Sequence, residues 1–216
     1  VVGALGAEVF VTLGSGDRER PLKQNYPYKQ QVANRFYVFI DRPTVGGNET
    51  ELAARPTINL DGGSLLNAAL GLAPGAAITD YDGWYIDLLD RGEQVVNQSA
   101  IGGGQVFFNT FQPNGGNGGM CSNLGVSKAY RIPLFTPKND VGEEFGEGIP
   151  IPPIIVTVRL DSNGSSCQGA GCGAGELTDD VVTVCIGCKG FDPVKIEPLG
   201  AEVLNEAFRV ENIDRL

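Results

Sequence analysis

The chain has 216 residues and no histidine, with a single methionine, Met120, and a single tryptophan, Trp84. Without histidine it builds neither a Ser-His-Asp nor a Cys-His nucleophile pair from its own residues, and it offers no imidazole to zinc or haem. Positive charge is scarce as well: 16 Lys and Arg stand against 26 Asp and Glu, for a formal net charge of −10. No basic cluster occurs, so binding to nucleic acid through phosphate neutralisation is not expected. Long apolar runs are missing too. The most apolar stretch, 151–158, is interrupted by Pro152 and Pro153, well short of the roughly 18 consecutive apolar residues of a membrane helix. No membrane span is expected. The chain opens on Val1-Val2 with no charged-then-apolar signal segment ahead, which reads as a processed chain or part of a longer one.

Chain punctuation is plentiful, with 31 Gly and 13 Pro. Between the punctuators lie short, β-branched and aromatic runs. Strands are expected at 8–13, 36–40, 84–88, 94–98, 105–111, 128–135, 154–160, 181–186, 194–197 and 207–210. Helix is scarce: Ser64 to Leu70 reads as two turns with Ser64 as N-cap and Gly71 as stop, and Glu49 to Arg55 as a weaker candidate. Both lie in an insertion, Thr44 to Asp82, too long for a hairpin loop. The pattern predicts an all-β protein of antiparallel sheets with a short helical insertion. A sandwich, a barrel and a propeller all satisfy it. The strands fall into three groups, roughly 8–90, 93–135 and 150–216. On the third expected strand, alternation places Trp84, Ile86 and Leu88 on one face, suited to filling the gap between neighbouring sheets.

The five cysteines are Cys121, Cys167, Cys172, Cys185 and Cys188. Cys167-x4-Cys172, twelve residues, then Cys185-x2-Cys188 is close to the spacing of a four-thiolate zinc ribbon. Acidity, few lysines and glycine-rich loops favour an exported protein, in which cysteines pair as disulfides. Cys167–Cys172 with Cys185–Cys188 and the two cross-hairpin pairings are all open, and Cys121 is left over. Cys185-x-x-Cys188-Lys189 also has the form of a redox dithiol or an unusual haem attachment. A redox cysteine wants a helix N-terminus, whereas Cys185 ends a β run.

Other motifs read as turns and loops. Gly169 to Gly175 matches a dinucleotide glycine pattern in letters, but a strand rather than a helix follows it. Asp80-Tyr81-Asp82-Gly83 and Asp161-Ser162-Asn163-Gly164 lack the terminal glutamate of a calcium loop. The acidic run Asp140 to Glu147 reads as a solvated linker. Gly14 and Gly16 are expected to flank a turn needing positive φ, capped or paired by Asp17 and Arg18. Sequons stand at Asn48, Asn97 and Asn163.

Several segments, taken together and in order, resemble one known family. They are Gly14-Ser15-Gly16-Asp17-Arg18 through Pro21-Leu22, Asn34-Arg35-Phe36-Tyr37, Gly83-Trp84-Tyr85-Ile86-Asp87-Leu88, Gly92-Glu93-Gln94-Val95-Val96 and Gly104-Gln105-Val106-Phe107-Phe108-Asn109-Thr110. A loop with Cys121, the segment Gly148-Ile149-Pro150, and Arg209 with Glu211 to Arg215 near the end complete the series. The order is similar to the C-terminal β-propeller of the PilY family, type IV pilus biogenesis factors and tip-associated adhesins.

The resemblance implies that this chain supplies the last blades of a propeller. The implied module is non-catalytic, acts in pilus assembly and adhesion, and sits outside the cell, at the pilus tip or associated with the periplasm or outer membrane. Its implied partners are the rest of the propeller or a companion chain, minor pilins, and a host or abiotic surface. Contacts would come from loops such as 113–125 and 161–176 on a rigid scaffold. The family's calcium loop and its Arg-Gly-Asp tripeptide are not found here, so no cofactor is expected in this chain. Two other readings stand beside it: an electron-transfer or redox subunit using Cys185-x-x-Cys188-Lys189, and a fibre-forming extracellular subunit whose open sheet edges pair with another chain.

Overall fold

A computed structural model describes residues 1–5, 8–19, 33–41, 65–113, 125–138, 142–160, 180–188 and 194–196. These residues are mostly β-strand, and their one helical element is a single 3-10 turn at Ile78–Asp80. Among the described residues no helix is long and apolar enough to cross a membrane.

The first sheet contains β1 (Val2–Leu5), β2 (Glu8–Gly14), β3 (Asn34–Asp41), β5 (Gly83–Leu88) and β4 (Leu66–Asn67), in the order β1-β2-β3-β5-β4. All its pairs are antiparallel except β4 with β5. The second contains β10 (Glu143–Glu147), β9 (Val126–Pro133), β8 (Gln105–Gln112) and β6 (Gln94–Val95) in that order, with β7 (Ala100–Gly102) also paired to β8. The third is β11 (Ile154–Leu160), β12 (Asp180–Ile186) and β13 (Val194–Ile196), again antiparallel. Among the described strands the three sheets stay open, closing into neither a barrel nor a ring.

Period-two alternation explains how the sheets stack. Phe36, Val38 and Ile40 of β3 and Trp84, Ile86 and Leu88 of β5 are buried on one face of the first sheet. They form one core with Val106, Phe108, Tyr130 and Ile132 of the second sheet. Trp84 lies here as its strand pattern suggests, and its Nε1 donates to the Leu134 carbonyl at 3.1 Å. The other face of β8 points the opposite way: Phe107 packs with Cys185, Cys188 and Ile155 of the third sheet. Hence residues 105–111 are buried throughout, as befits a strand in the middle layer.

Across residues 65–70 the expected helix is replaced by β4 and a turn over 68–70, and its expected N-cap Ser64 lies outside the described residues. Ala68 N–H donates to the Tyr85 carbonyl at 2.8 Å, and Asn67 Oδ1 accepts from Ala69 N–H at 2.9 Å. Pairing with β5 and an Asn-centred turn thus take the backbone groups that a helix would have used. The candidate helix at 49–55 and the expected strand at 207–210 lie outside the described residues. The acidic run also differs from expectation: Glu143–Glu147 is an edge strand on β9 with a bulge at Phe145, between Glu144 and Gly146. Its three glutamates are exposed, and charge on an edge strand discourages further pairing.

Candidate functional site

Three of the segments that suggested a family, around Ser15, Asn34 and Val95, meet at one seam between the first and second sheets, whereas Pro21-Leu22, Cys121 and residues 209–215 lie outside the described residues. The chain leaving β2 crosses over β6, where Val95 N–H donates to the Ser15 carbonyl at 3.0 Å and Asp17 N–H to Gln94 Oε1 at 2.9 Å. Ser15 Oγ donates to Asn34 Oδ1 at 2.9 Å and accepts from Arg35 N–H at 2.8 Å. Asn34 Nδ2 in turn donates to the Glu93 carbonyl at 2.8 Å. Asp17 Oδ1 accepts from Glu19 N–H at 3.1 Å, a local bond that follows the Gly14–Gly16 segment rather than capping it.

The glycines in this loop serve another purpose than positive φ, which neither Gly14 nor Gly16 has. A Cβ on Gly16 would lie 2.3 Å from the Val95 carbonyl oxygen, and one on Gly14 2.4 Å from Val95 Cβ. They are needed for close approach of two sheets. Gly16→Ala is therefore expected to destabilise the protein by about 1–3 kcal/mol, since a backbone oxygen cannot step aside; thermal unfolding checks this. Gly83 does combine both demands, with φ at +141° and a hypothetical Cβ 2.0 Å from the Val38 carbonyl oxygen.

Behind the loop lies a buried polar cluster. Glu93, only 2 % exposed, accepts at Oε1 from Thr110 Oγ1 at 2.5 Å and from Tyr130 Oη at 2.7 Å. Lys128 Nζ is 4.0 Å from Glu93 Oε2 and pairs with Asp90. The register explains the convergence: Thr110 stands opposite Lys128, Phe108 opposite Tyr130, and Val95 opposite Thr110. Burial pushes the Tyr130 hydroxyl well above its ordinary range, and the charge and hydrogen bond of Glu93 push the same way. For Lys128, burial works against the charge, but the bond to Asp90 and the charges of Glu93, Asp90 and Glu144 outweigh it, so its pKa is raised.

Both shifts favour the protonated form in the folded protein. Their stabilisation is complete below about pH 10, the ordinary range of both groups, and is lost as pH climbs from there towards the raised values. Tyr130→Phe is expected to cost about 1.5–3 kcal/mol at neutral pH for the lost bond to a carboxylate. It should also flatten the decline of stability above pH 10; denaturant titrations across alkaline pH test both.

This cluster went unrecognised in the sequence, where Glu93 is visible only as part of Gly92-Glu93-Gln94-Val95. The signal was a polar residue at positions alternating with core ones: Thr110 after Val106 and Phe108, and Lys128 before Tyr130 and Ile132. Chemically, the arrangement holds a carboxylate fixed by two hydroxyls and an ammonium, and it fastens β6, β8 and β9 together behind the loop from β2.

The third sheet carries the cysteine pair. Cys185 and Cys188 form a disulfide with Cα atoms 5.7 Å apart, buried beside Phe107. Asn109 Nδ2 donates to the Ile151 and Gly187 carbonyls at 2.8 and 2.6 Å, tying the disulfide loop to β8. Cys185 lies within β12, one residue before its end, and has no helix N-terminus to lower a thiol pKa. Bonded to each other, the two sulfurs are not thiolate ligands for zinc. Cys121, Cys167, Cys172 and Lys189 lie outside the described residues. Among the described residues, no group of three or more Cys, Asp or Glu converges on a metal position. Native, non-reduced peptide mapping is expected to recover Cys185 and Cys188 as one linked peptide. Because both sulfurs are buried, a thiol reagent should label them only after unfolding and reduction. Comparison with protein-family models, with curated proteins and with solved structures returns no match to this chain.

Proposed function

We propose that this chain is a non-catalytic module of a PilY-type type IV pilus biogenesis and adhesion protein, the last blades of its C-terminal β-propeller. It works at the cell surface or pilus tip by recognition through loops on a rigid β scaffold, in contact with the rest of the propeller and with minor pilins. The observation that carries the reading is the convergence of the resembling segments. Gly14–Arg18, Asn34–Tyr37 and Gly92–Val96 bond to one another at a single seam, and Gly83–Leu88 pairs with the second of them. A set of motifs that co-operate in one structural joint supports a shared architecture better than the same letters scattered over unrelated surfaces. Three antiparallel sheets stacked face to face in chain order are also the arrangement of adjacent propeller blades.

Fractionation of the source cells tests the proposal. Filaments sheared from the surface are expected to contain peptides of this chain, cross-linkable to pilins, and deletion of its coding region should reduce piliation and surface attachment. Recovery of the chain only from the cytosol, with piliation unchanged on deletion, would overturn it.

A further inference from the structure

The polar cluster behind the seam holds a lysine where folded proteins seldom place one, because a buried ammonium loses its hydration. The Lys128 side chain is only 8 % exposed and meets two carboxylates from a single turn. Its Nζ donates to Asp90 Oδ2, and Glu93 Oε2 lies 4.0 Å away. The turn joins β5 to β6 and is closed by Glu93 N–H donating to the Asp90 carbonyl at 3.0 Å. Thr110 and Tyr130 both donate to Glu93 Oε1, so Oε2 is the oxygen presented to Lys128. Asp90 is the outer member of the group, with its side chain 48 % exposed.

An amine, a carboxylate touching it and a second carboxylate beside the amine are the parts of an amide-forming site. We propose that Lys128 Nζ condenses with the Asp90 carboxylate into an intramolecular isopeptide bond, with Glu93 carrying the protons. The ion pair in the structure is the unreacted state. Asp90, Glu93 and Glu144 hold Lys128 as the ammonium, so a proton has to leave before nitrogen can attack. Glu93 Oε2 takes it once Nζ turns from Asp90, and passes it to the Asp90 carboxylate. The Nζ lone pair then adds to Asp90 Cγ. A second proton follows the same route from nitrogen to an Asp90 oxygen, the Cγ–O bond breaks, and water leaves on the exposed side of Asp90. Ammonium and carboxylate become amide and water, with no oxidant, no change in net charge and Glu93 restored. The step occurs once per chain and is not turnover. Fixed contact makes it unimolecular, the buried position of Lys128 and Glu93 keeps solvent from the nitrogen, and the neutral product removes the cost of a buried ammonium. The bond spans 38 residues. It ties the connection leaving β5 of the first sheet to β9 of the second, which closes the seam covalently.

Mass spectrometry of the purified 216-residue chain, folded, then denatured and fully reduced, is the test. Wild type is expected below its sequence mass by one water. Proteolysis should yield a branched peptide in which Lys128 is joined to the segment holding Asp90, and trypsin should not cut after Lys128. Lys128→Arg and Asp90→Ala, each checked for an unchanged β-sheet circular dichroism spectrum, should return to the full sequence mass. Glu93→Gln should lose most of the water-loss species while keeping both reacting groups. If Glu93→Gln does not fold, Asp90→Ala still decides the bond, because Asp90 is half exposed and its removal leaves the buried cluster in place. Wild type at full sequence mass, cleaved normally at Lys128, means an ion pair only and overturns the proposal. A mass deficit that survives Asp90→Ala overturns it too, since the bond would then lie elsewhere. A folded Glu93→Gln with an undiminished deficit overturns the proton-carrying role. None of these outcomes bears on filament fractionation, so the pilus reading stands or falls separately.

Discussion

Glu93→Ala is expected to lower the free energy of unfolding by about 3–5 kcal/mol, the range for removing one partner of a buried charge pair. The carboxylate is the shared acceptor for Thr110 and Tyr130, so its loss strands two buried hydroxyl donors, each costing about 1–3 kcal/mol when unsatisfied. Lys128 keeps its exposed partner Asp90, which limits the damage on that side. Glu93→Gln is the informative companion. Its amide oxygen still accepts from one hydroxyl, while its amide nitrogen adds a donor where the cluster has too many, so an intermediate loss is expected. Urea unfolding of both variants at neutral pH measures the difference. If Glu93→Ala cost less than about 1 kcal/mol, the net range of an ordinary hydrogen bond, the seam would be held by apolar packing and the hydrogen bonds of Ser15, Asn34 and Val95, without a contribution from the buried carboxylate.

How much of this was legible in the sequence depended on strand length and position. The strands β2, β3, β5, β8, β9, β11 and β12 each carry a run long enough to show alternation, and their cores were recognisable. The short strands β4 and β7 hold two and three residues, and the strand expected at 94–98 is only the two residues of β6, Gln94–Val95. Their pairing is decided by the long strand beside them, as with Asn67 against Tyr85. In isolation Ser64 to Leu70 has the leucines and alanines of a helix. Only β5, arriving from residues beyond an intervening loop, makes residues 66–70 a strand and a turn. The Glu143–Glu147 edge was hidden for another reason, because nearly all of its residues are exposed, so it carries no apolar stripe and its composition resembles a linker.

The joint between the first two sheets was legible as letters and not as physics. Gly14 and Gly16 were visible, but the sequence suggested a demand on φ. The demand is one of distance, set by Val95 on another strand. Glu93 lay inside a recognised segment while its partners Thr110, Lys128 and Tyr130 come from two later strands, and no local pattern reveals that a register will bring them together. The cysteines show the same limit. Spacing left three pairings open, and the structure joins Cys185 to Cys188 because the turn at the end of β12 brings them together.

Phe108→Ala is expected to cost about 3–5 kcal/mol, the range for emptying a buried aromatic site. The ring lies parallel between Phe36, 3.7 Å away, and Tyr130, 4.6 Å away. It therefore touches both the first sheet and the residue that donates to Glu93. Against a total stability of about 5–15 kcal/mol for a typical domain, such a loss would bring the protein close to unfolding. Phe107, its neighbour on the same strand, provides the contrast. It is equally buried but faces the third sheet and the disulfide, so Phe107→Ala should loosen only that sheet. Hydrogen exchange separates the two cases. In Phe107→Ala, protection should fall in β11 and β12 while β3, β5 and β9 keep theirs; in Phe108→Ala it should fall across the first two sheets together. Uniform loss in both variants would mean that the three layers unfold as one unit, and that β8 transmits strain from one of its faces to the other.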